Sequence, residues 1–228
     1  MISAEDFPAL QRLCENIATD PEFVPQDLRP YFFGAKLTAL VKGDDKKGVR
    51  PIAVGTIFRK TISSAIAATI KPTLPKYFSP VQFGVGFAGG TENPVHGIRL
   101  LNKLHPEWTI VSLDLTNAFN TVDRNTFLHE VQDHFPSVAS WAWQCYGHPT
   151  KLIPAKGDTL ESSAGVHQSN LVFLFAIQPI LLKVAEQVIP MAYMDDIYLI
   201  GPTDRIINAL DRLSAEFGKI SLKVNLVK

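Results

Sequence analysis

Met191-Ala-Tyr-Met-Asp-Asp-Ile-Tyr-Leu-Ile200 is the stretch on which the reading of this chain turns. Two strand-like runs, 191–194 and 197–200, are separated only by Asp195-Asp196, the pattern of a tight β-hairpin with an acidic pair at its turn. Asp is a favoured turn residue, so taken alone the pair also reads as an ordinary polar turn. Adjacent carboxylates repel, however, unless solvent or cations neutralise them. The apolar flanks argue for a central hairpin rather than a peripheral one. Upstream, Trp108-Thr-Ile-Val-Ser-Leu113 is a β-rich run ending in Asp114. A strand carrying Asp114 beside that hairpin would complete an all-oxygen donor set of the kind Mg²⁺ takes. Two such ions about 3.5–4 Å apart activate an attacking oxygen and stabilise a leaving one in phosphoryl displacement.

The neighbouring segments alternate between the two periods. A helix is expected over about 5–18, followed by an irregular stretch holding Pro21, Pro25 and Pro30. Leu37–Val41 and Arg50–Val54 flank the polar loop 42–48 as a second hairpin. Residues 58–71 and 92–104 have helical spacing, and between them Gln82-Phe-Gly-Val-Gly-Phe-Ala-Gly-Gly90 demands tight turns or close backbone approach. Its glycines complete neither a dinucleotide-binding nor a phosphate-loop motif. Asp123 is a candidate N-cap for a helix over 123–135. Lys151–Ala155 and Glu161–Ala164 suggest a short hairpin, and a long apolar helix from about 169 to 188 should start or kink its last part at Pro179. A helix over 204–217 and a strand over 220–224 finish the chain. The alternation gives an α+β fold, one continuous domain with a sheet covered by helices.

Composition excludes several classes. With 228 residues, 46% hydrophobic, three Trp and fourteen Phe, the chain is long and apolar enough for a real core. Cys14 and Cys145 cannot build a disulfide framework and form no zinc spacing with the histidines, so a reducing, intracellular setting is expected. The N-terminus has no signal-peptide pattern, and the most apolar run, 171–182, is interrupted by Gln178 and Pro179, so no membrane association is expected. The formal charge of zero conceals a basic block. Residues 1–35 hold 2 basic and 6 acidic side chains, 36–103 hold 11 and 3, and 104–228 hold 9 and 13. A concentrated positive segment suits a polyanionic ligand, although a solvated basic surface has the same composition.

Asp114-Leu-Thr-Asn-Ala-Phe-Asn120, Tyr193-Met-Asp-Asp196 and Ser221-Leu-Lys-Val-Asn-Leu-Val-Lys228 resemble, in order and spacing, palm motifs A, C and D of reverse transcriptases, in wording close to the non-LTR retrotransposon type. Gly48-Val-Arg-Pro-Ile52 with Lys60, and 82–90 with His96, resemble fingers segments of the same family. The likeness extends over roughly 36–228. It implies a right-hand polymerase fold, with a fingers-like region in 1–106 and an antiparallel palm sheet covered by helices in 107–228. The implied activity is RNA-directed DNA polymerisation. Asp114, Asp195 and Asp196 would hold two Mg²⁺ ions, or Mn²⁺ in their place. By the same resemblance Phe119 is the gate that crowds a ribose 2′-OH, Arg50 and Lys60 contact the incoming triphosphate, Tyr193 lies near the primer, and Lys228 protonates departing pyrophosphate. The implied partners are an RNA template, a DNA primer, dNTPs and the other domains of a longer polyprotein.

Motif B departs from the pattern. The family wording is close to Gly-Val-Gln-Gln-Gly-Asp-Pro-Leu-Gly-Pro before an apolar helix, whereas this chain has Gly165-Val-His-Gln-Ser-Asn-Leu-Val-Phe-Leu-Phe-Ala-Ile-Gln-Pro179. Gln168 is kept, Ser169 replaces Gly, and about four residues are missing. That deletion should shift the helix by about one turn and move Gln168 by several ångströms. No thumb, endonuclease or RNase H segment is recognisable. The expectation is therefore a reverse transcriptase domain truncated before its thumb. The alternatives are an inactive remnant keeping the palm and weak nucleic-acid binding, and a palm-type cyclase or unrelated Mg²⁺ phosphotransferase.

Overall fold

The computed structural model describes residues 7–42, 48–167 and 169–225. In chain order these form α1 (Phe7–Thr19), α2 (Arg29–Phe32), β1 (Ala35–Lys42), β2 (Gly48–Gly55), α3 (Ile57–Ile70), α4 (Leu74–Phe78) and α5 (Glu92–Leu104). There follow β3 (Thr109–Leu115), α6 (Ala118–Thr121), α7 (Arg124–His134), α8 (Pro136–Tyr146), β4 (Thr150–Pro154) and β5 (Leu160–Ser162). The chain continues through α9 (Asn170–Val184), β6 (Ile189–Tyr193), β7 (Asp196–Gly201), α10 (Thr203–Lys219) and β8 (Val224–Asn225). The fold is mixed α and β, and it divides into two compact units that interleave along the sequence: 1–69 with 128–168, and 70–127 with 169–228.

The first unit carries the sheet β2-β1-β4-β5. β1 and β2 form the expected hairpin, paired from Ala35↔Gly55 to Lys42↔Gly48, and its polar loop lies outside the described residues. β4 joins parallel to β1 and antiparallel to β5. Arg59 of α3 is 1% exposed. A buried guanidinium needs polar company, and it donates to the carbonyls of Phe33 and Cys145 while lying 4.6 Å from the centre of the Tyr146 ring. Burial pushes the neighbouring Cys145 thiol up to about 11, against the pull of the Arg59 charge. Cys145 is therefore an inert core thiol. Nothing in local sequence marked α8, whose Trp141 indole donates to Ser63.

The second unit carries the sheet β6-β7-β3-β8. Two strand boundaries differ from expectation. Tyr193 pairs with Asp196, so the β6–β7 turn is Met194-Asp195 and Asp196 is the first residue of β7 rather than a turn residue. The strand expected over 220–224 shrinks to Val224–Asn225, because Ile220 and Leu222 still bond back to the Phe217 carbonyl at the end of α10. α9 is apolar on all sides, with Phe173, Leu174, Ile177, Leu181 and Val184 wholly buried, as an all-round apolar helix requires. It starts at Asn170 and runs unbroken through Pro179 to Val184. Asp123 acts as the expected N-cap of α7, its Oδ2 accepting from the Thr126 amide at 3.0 Å. Among the described residues no helix is long and apolar enough to cross a membrane.

α10 buries Ile206, Ala209, Leu213 and Phe217 on one face. Its Glu216 accepts from Lys183 of α9 at 2.8 Å and from Lys219, and these two bonds hold its carboxyl down at about 2. A depressed carboxylate pKa favours the folded state above the ordinary carboxylate range, and that contribution is lost as pH falls through the folded value. Observed by NMR, Glu216 should titrate near 2 while solvated glutamates titrate near their ordinary value, and Lys183→Ala should raise its midpoint.

Candidate active site

Alternation along the second sheet sorts its side chains onto two faces. Leu113 and Ile197 pair directly across β3 and β7 and are 1% and 0% exposed. Successive strand residues point to opposite faces. Asp114 and Asp196, each one step beyond that pair, therefore share the other face, where Asp114 is partly accessible and Asp196 exposed. On the flanks, Tyr193 pairs with Asp196 and Asn225 pairs with Asp114. The strand order thus lays Tyr193, Asp196, Asp114 and Asn225 in one row across the end of the sheet. Opposed positions in antiparallel strands lie about 4.5–5.5 Å apart at Cα.

Asp195 sits in the turn itself, beside Met194, whose φ of 58° lies in the left-handed region. A large unbranched side chain pays about 1–2 kcal/mol there, where Gly, Asn or Asp would be at ease. The backbone is held by Gln82, which is 0% exposed. Its Oε1 accepts from the amides of Met194 and Gly84, both at 2.9 Å, and its Nε2 donates to the Met194 carbonyl at 3.0 Å. Residues 81–83 run along the outer side of β6: Ala192 donates to the Val81 carbonyl at 2.7 Å, and Phe83 donates to the Ala192 carbonyl at 2.8 Å. Close backbone approach, expected for the glycine-rich segment, occurs at Gly84, where a Cβ would lie 2.8 Å from the Met194 nitrogen. The role of Gln82 had no local signal in sequence.

Phe119 follows in α6, after Asn117 turns the chain at φ 51°, a conformation Asn tolerates. Its partly accessible ring lies 4.5 Å from that of Phe173, the buried residue one turn into α9. Asp114, Asp195, Asp196, Phe119 and Tyr193 all belong to the second unit. Arg50, on β2, and Lys60, on α3, are exposed residues of the first. Gln168 and Lys228 lie outside the described residues.

Asp114, Asp195 and Asp196 supply oxygen donors only, the chemistry that a hard divalent cation takes. Among the described residues, no three His, Cys, Asp or Glu side chains converge into a group that would hold a metal ion. The fit therefore lies in donor type and register, and full convergence of the three carboxylates is not a feature of this conformation.

Residues 41–228 match the family described as reverse transcriptase (RNA-dependent DNA polymerase). The chain belongs to this reverse transcriptase family. It is also similar to the retrotransposable element SLACS 132 kDa protein of Trypanosoma brucei gambiense, with 28% identity over 190 residues. That match takes in 75% of this chain and 15% of the relative, so the chain spans a small part of the length of the curated protein it resembles. The family match begins at Val41, so it takes in the last two residues of β1 and all of β2 to β8.

The contact at Gly84 has a measurable consequence. Gly84→Ala forces a methyl against backbone that has no room to yield, so it should destabilise the protein by about 1–3 kcal/mol in urea unfolding.

Proposed function

We propose that the protein is the polymerase core of a retrotransposon reverse transcriptase, which copies an RNA template by adding dNTPs to a primer 3′-OH. The observation that carries this reading is the row Tyr193–Asp196–Asp114–Asn225 on the accessible face of the second sheet, in a chain whose family is that of RNA-dependent DNA polymerases. The second unit is read as the palm and the first as fingers, the two parts of a right-hand polymerase.

Asp114, Asp195 and Asp196 would hold the divalent cations of the reaction. Once bound, such ions neutralise charge on the attacking and leaving oxygens of an in-line displacement. The chain's own residues contribute positioning. Tyr193, at the end of β6, is assigned to the primer side of the row, and Phe119 to the sugar of the incoming nucleotide. The tilted contact of Phe119 with Phe173 supports a rigid gate, since a ring backed by a buried aromatic has little room to yield to a 2′-OH. Arg50 and Lys60, solvent-facing cations of the first unit, are assigned to the triphosphate, Gln168 to the nucleotide and template, and Lys228 to protonation of pyrophosphate.

A second reading, a palm that no longer polymerises, is favoured by one observation. α9 begins at Asn170, directly after Ser169, with no Pro-Leu-Gly-Pro turn ahead of it. Displacements of about 1 Å in a catalytic site cost on the order of 10²-fold in rate.

Primer extension on an RNA template with Mg²⁺ and dNTPs separates the readings. Extension that EDTA abolishes and that Asp195→Asn lowers by about 10²–10³-fold supports the polymerase, taking the loss of one stabilising group as the scale. Activity that appears only after Gly-Asp-Pro-Leu-Gly-Pro is inserted following Gln168 establishes the second reading. In the active form, Phe119→Val should reduce discrimination against NTPs by about 10–200-fold in the ratio of kcat/KM values, the range for one steric contact.

A further inference from the structure

We propose that Gln82 is a positioning residue for Asp195 and Asp196, acting through the backbone of Met194. The proposal rests on the reading of these carboxylates as the cation-holding groups.

A two-residue hairpin turn requires positive φ at one or both central positions and ordinarily finds Gly, Asn or Asp there. The sequence has two Asp to offer at 195 and 196, yet the turn closes one residue earlier and puts Met194 at φ 58°. A hairpin closed on Asp195-Asp196 would move β6 two residues along β7, pairing Met194 with Ile197 in place of the observed Ala192. A two-residue shift keeps every side chain on its own face, so apolar burial alone does not choose between the two turns. The observed turn separates the carboxylates, with Asp195 in the turn and Asp196 at the head of β7.

Gln82 is built to hold that arrangement. It engages both polar groups of the Met194 backbone, the amide through Oε1 and the carbonyl through Nε2. Two amides, of Met194 and Gly84, point at one oxygen, which fixes which end of the side-chain amide is which. The side chain cannot drift, because the backbone on either side of it is bonded to Ala192. Two bonds from this buried side chain link a segment 112 residues away to the turn that carries Asp195. Gln meets this need alone among similar side chains: Met has no polar end, and ionised Glu accepts but does not donate.

The test uses the full chain with Gln82→Met and Gln82→Glu, and Asp195→Asn as reference. Three quantities are read: hydrogen exchange of the Met194 amide, the Mn²⁺ concentration that half-broadens the NMR signals of residues 195 and 196, and primer extension against pH. Gln82→Met should speed Met194 exchange and raise the Mn²⁺ midpoint, each by about tenfold or more, the scale of one lost buried hydrogen bond. Exchange at Leu199 should stay unchanged, which shows that the sheet is intact. In Gln82→Glu the activity relative to the unsubstituted protein should rise as pH falls, because a protonated carboxyl regains the donor for the Met194 carbonyl. An Mn²⁺ midpoint within twofold of the unsubstituted protein in Gln82→Met, or a flat pH ratio in Gln82→Glu, overturns the proposal. Mn²⁺ broadening that Asp195→Asn does not reduce overturns the carboxylate reading and the proposal with it, while the exchange data still record separately whether Gln82 holds the turn.

Discussion

Leu113 and Ile197, buried side by side across β3 and β7, set the register on which the second unit depends. With these two facing the core, the period of two along each strand leaves no freedom for their neighbours. Asp114 and Asp196 must face the other way, and Tyr193 and Asn225, paired with them, flank them in the same row. The acidic row is thus a consequence of apolar burial. The left-handed backbone of Met194 is held in place by the bonds of Gln82 to its amide and carbonyl.

The unbroken apolar helix α9 and the amphipathic α10 belong to the same unit. They are joined by the core side chains of both helices and by the Lys183–Glu216 pair at the surface. α9 also places Phe173 against Phe119, so the helix that follows the altered motif B still contributes a side chain beside the proposed nucleotide gate. The alteration therefore falls on the segment leading into the helix, while the helix itself keeps a predominantly apolar surface that burial satisfies.

The first unit is organised differently. Its central polar element is Arg59, which replaces solvent with two backbone carbonyls and an aromatic face. Around it the sheet β2-β1-β4-β5 leaves much of the β1–β2 hairpin accessible, including Leu40, Val41, Val49 and Arg50. The two units carry the basic block between them, since β1, β2 and most of α3 belong to the first and α4 and α5 to the second.

Much of this was legible in sequence. α5 spans the stretch its periodicity predicted, Asp123 caps α7, and all three expected hairpins form, because capping, helical spacing and strand alternation act over a few residues. The order of the acidic and aromatic motifs was enough to indicate the family. Where the chain continues to wrap after α10, and where the hairpin turns at 194 rather than 195, local pattern misled, because each outcome is decided by hydrogen bonds to residues that do not alternate with it. The amino-acid sequence by itself determined most of the helices and strands, α8 and the bounds of β8 excepted, and which carboxylates are available. Only the tertiary structure decided that Asp196 lies on a strand, that Phe173 backs Phe119 and that Gln82 holds Met194, since contacts between segments as far as 112 residues apart leave no periodic trace in either of them.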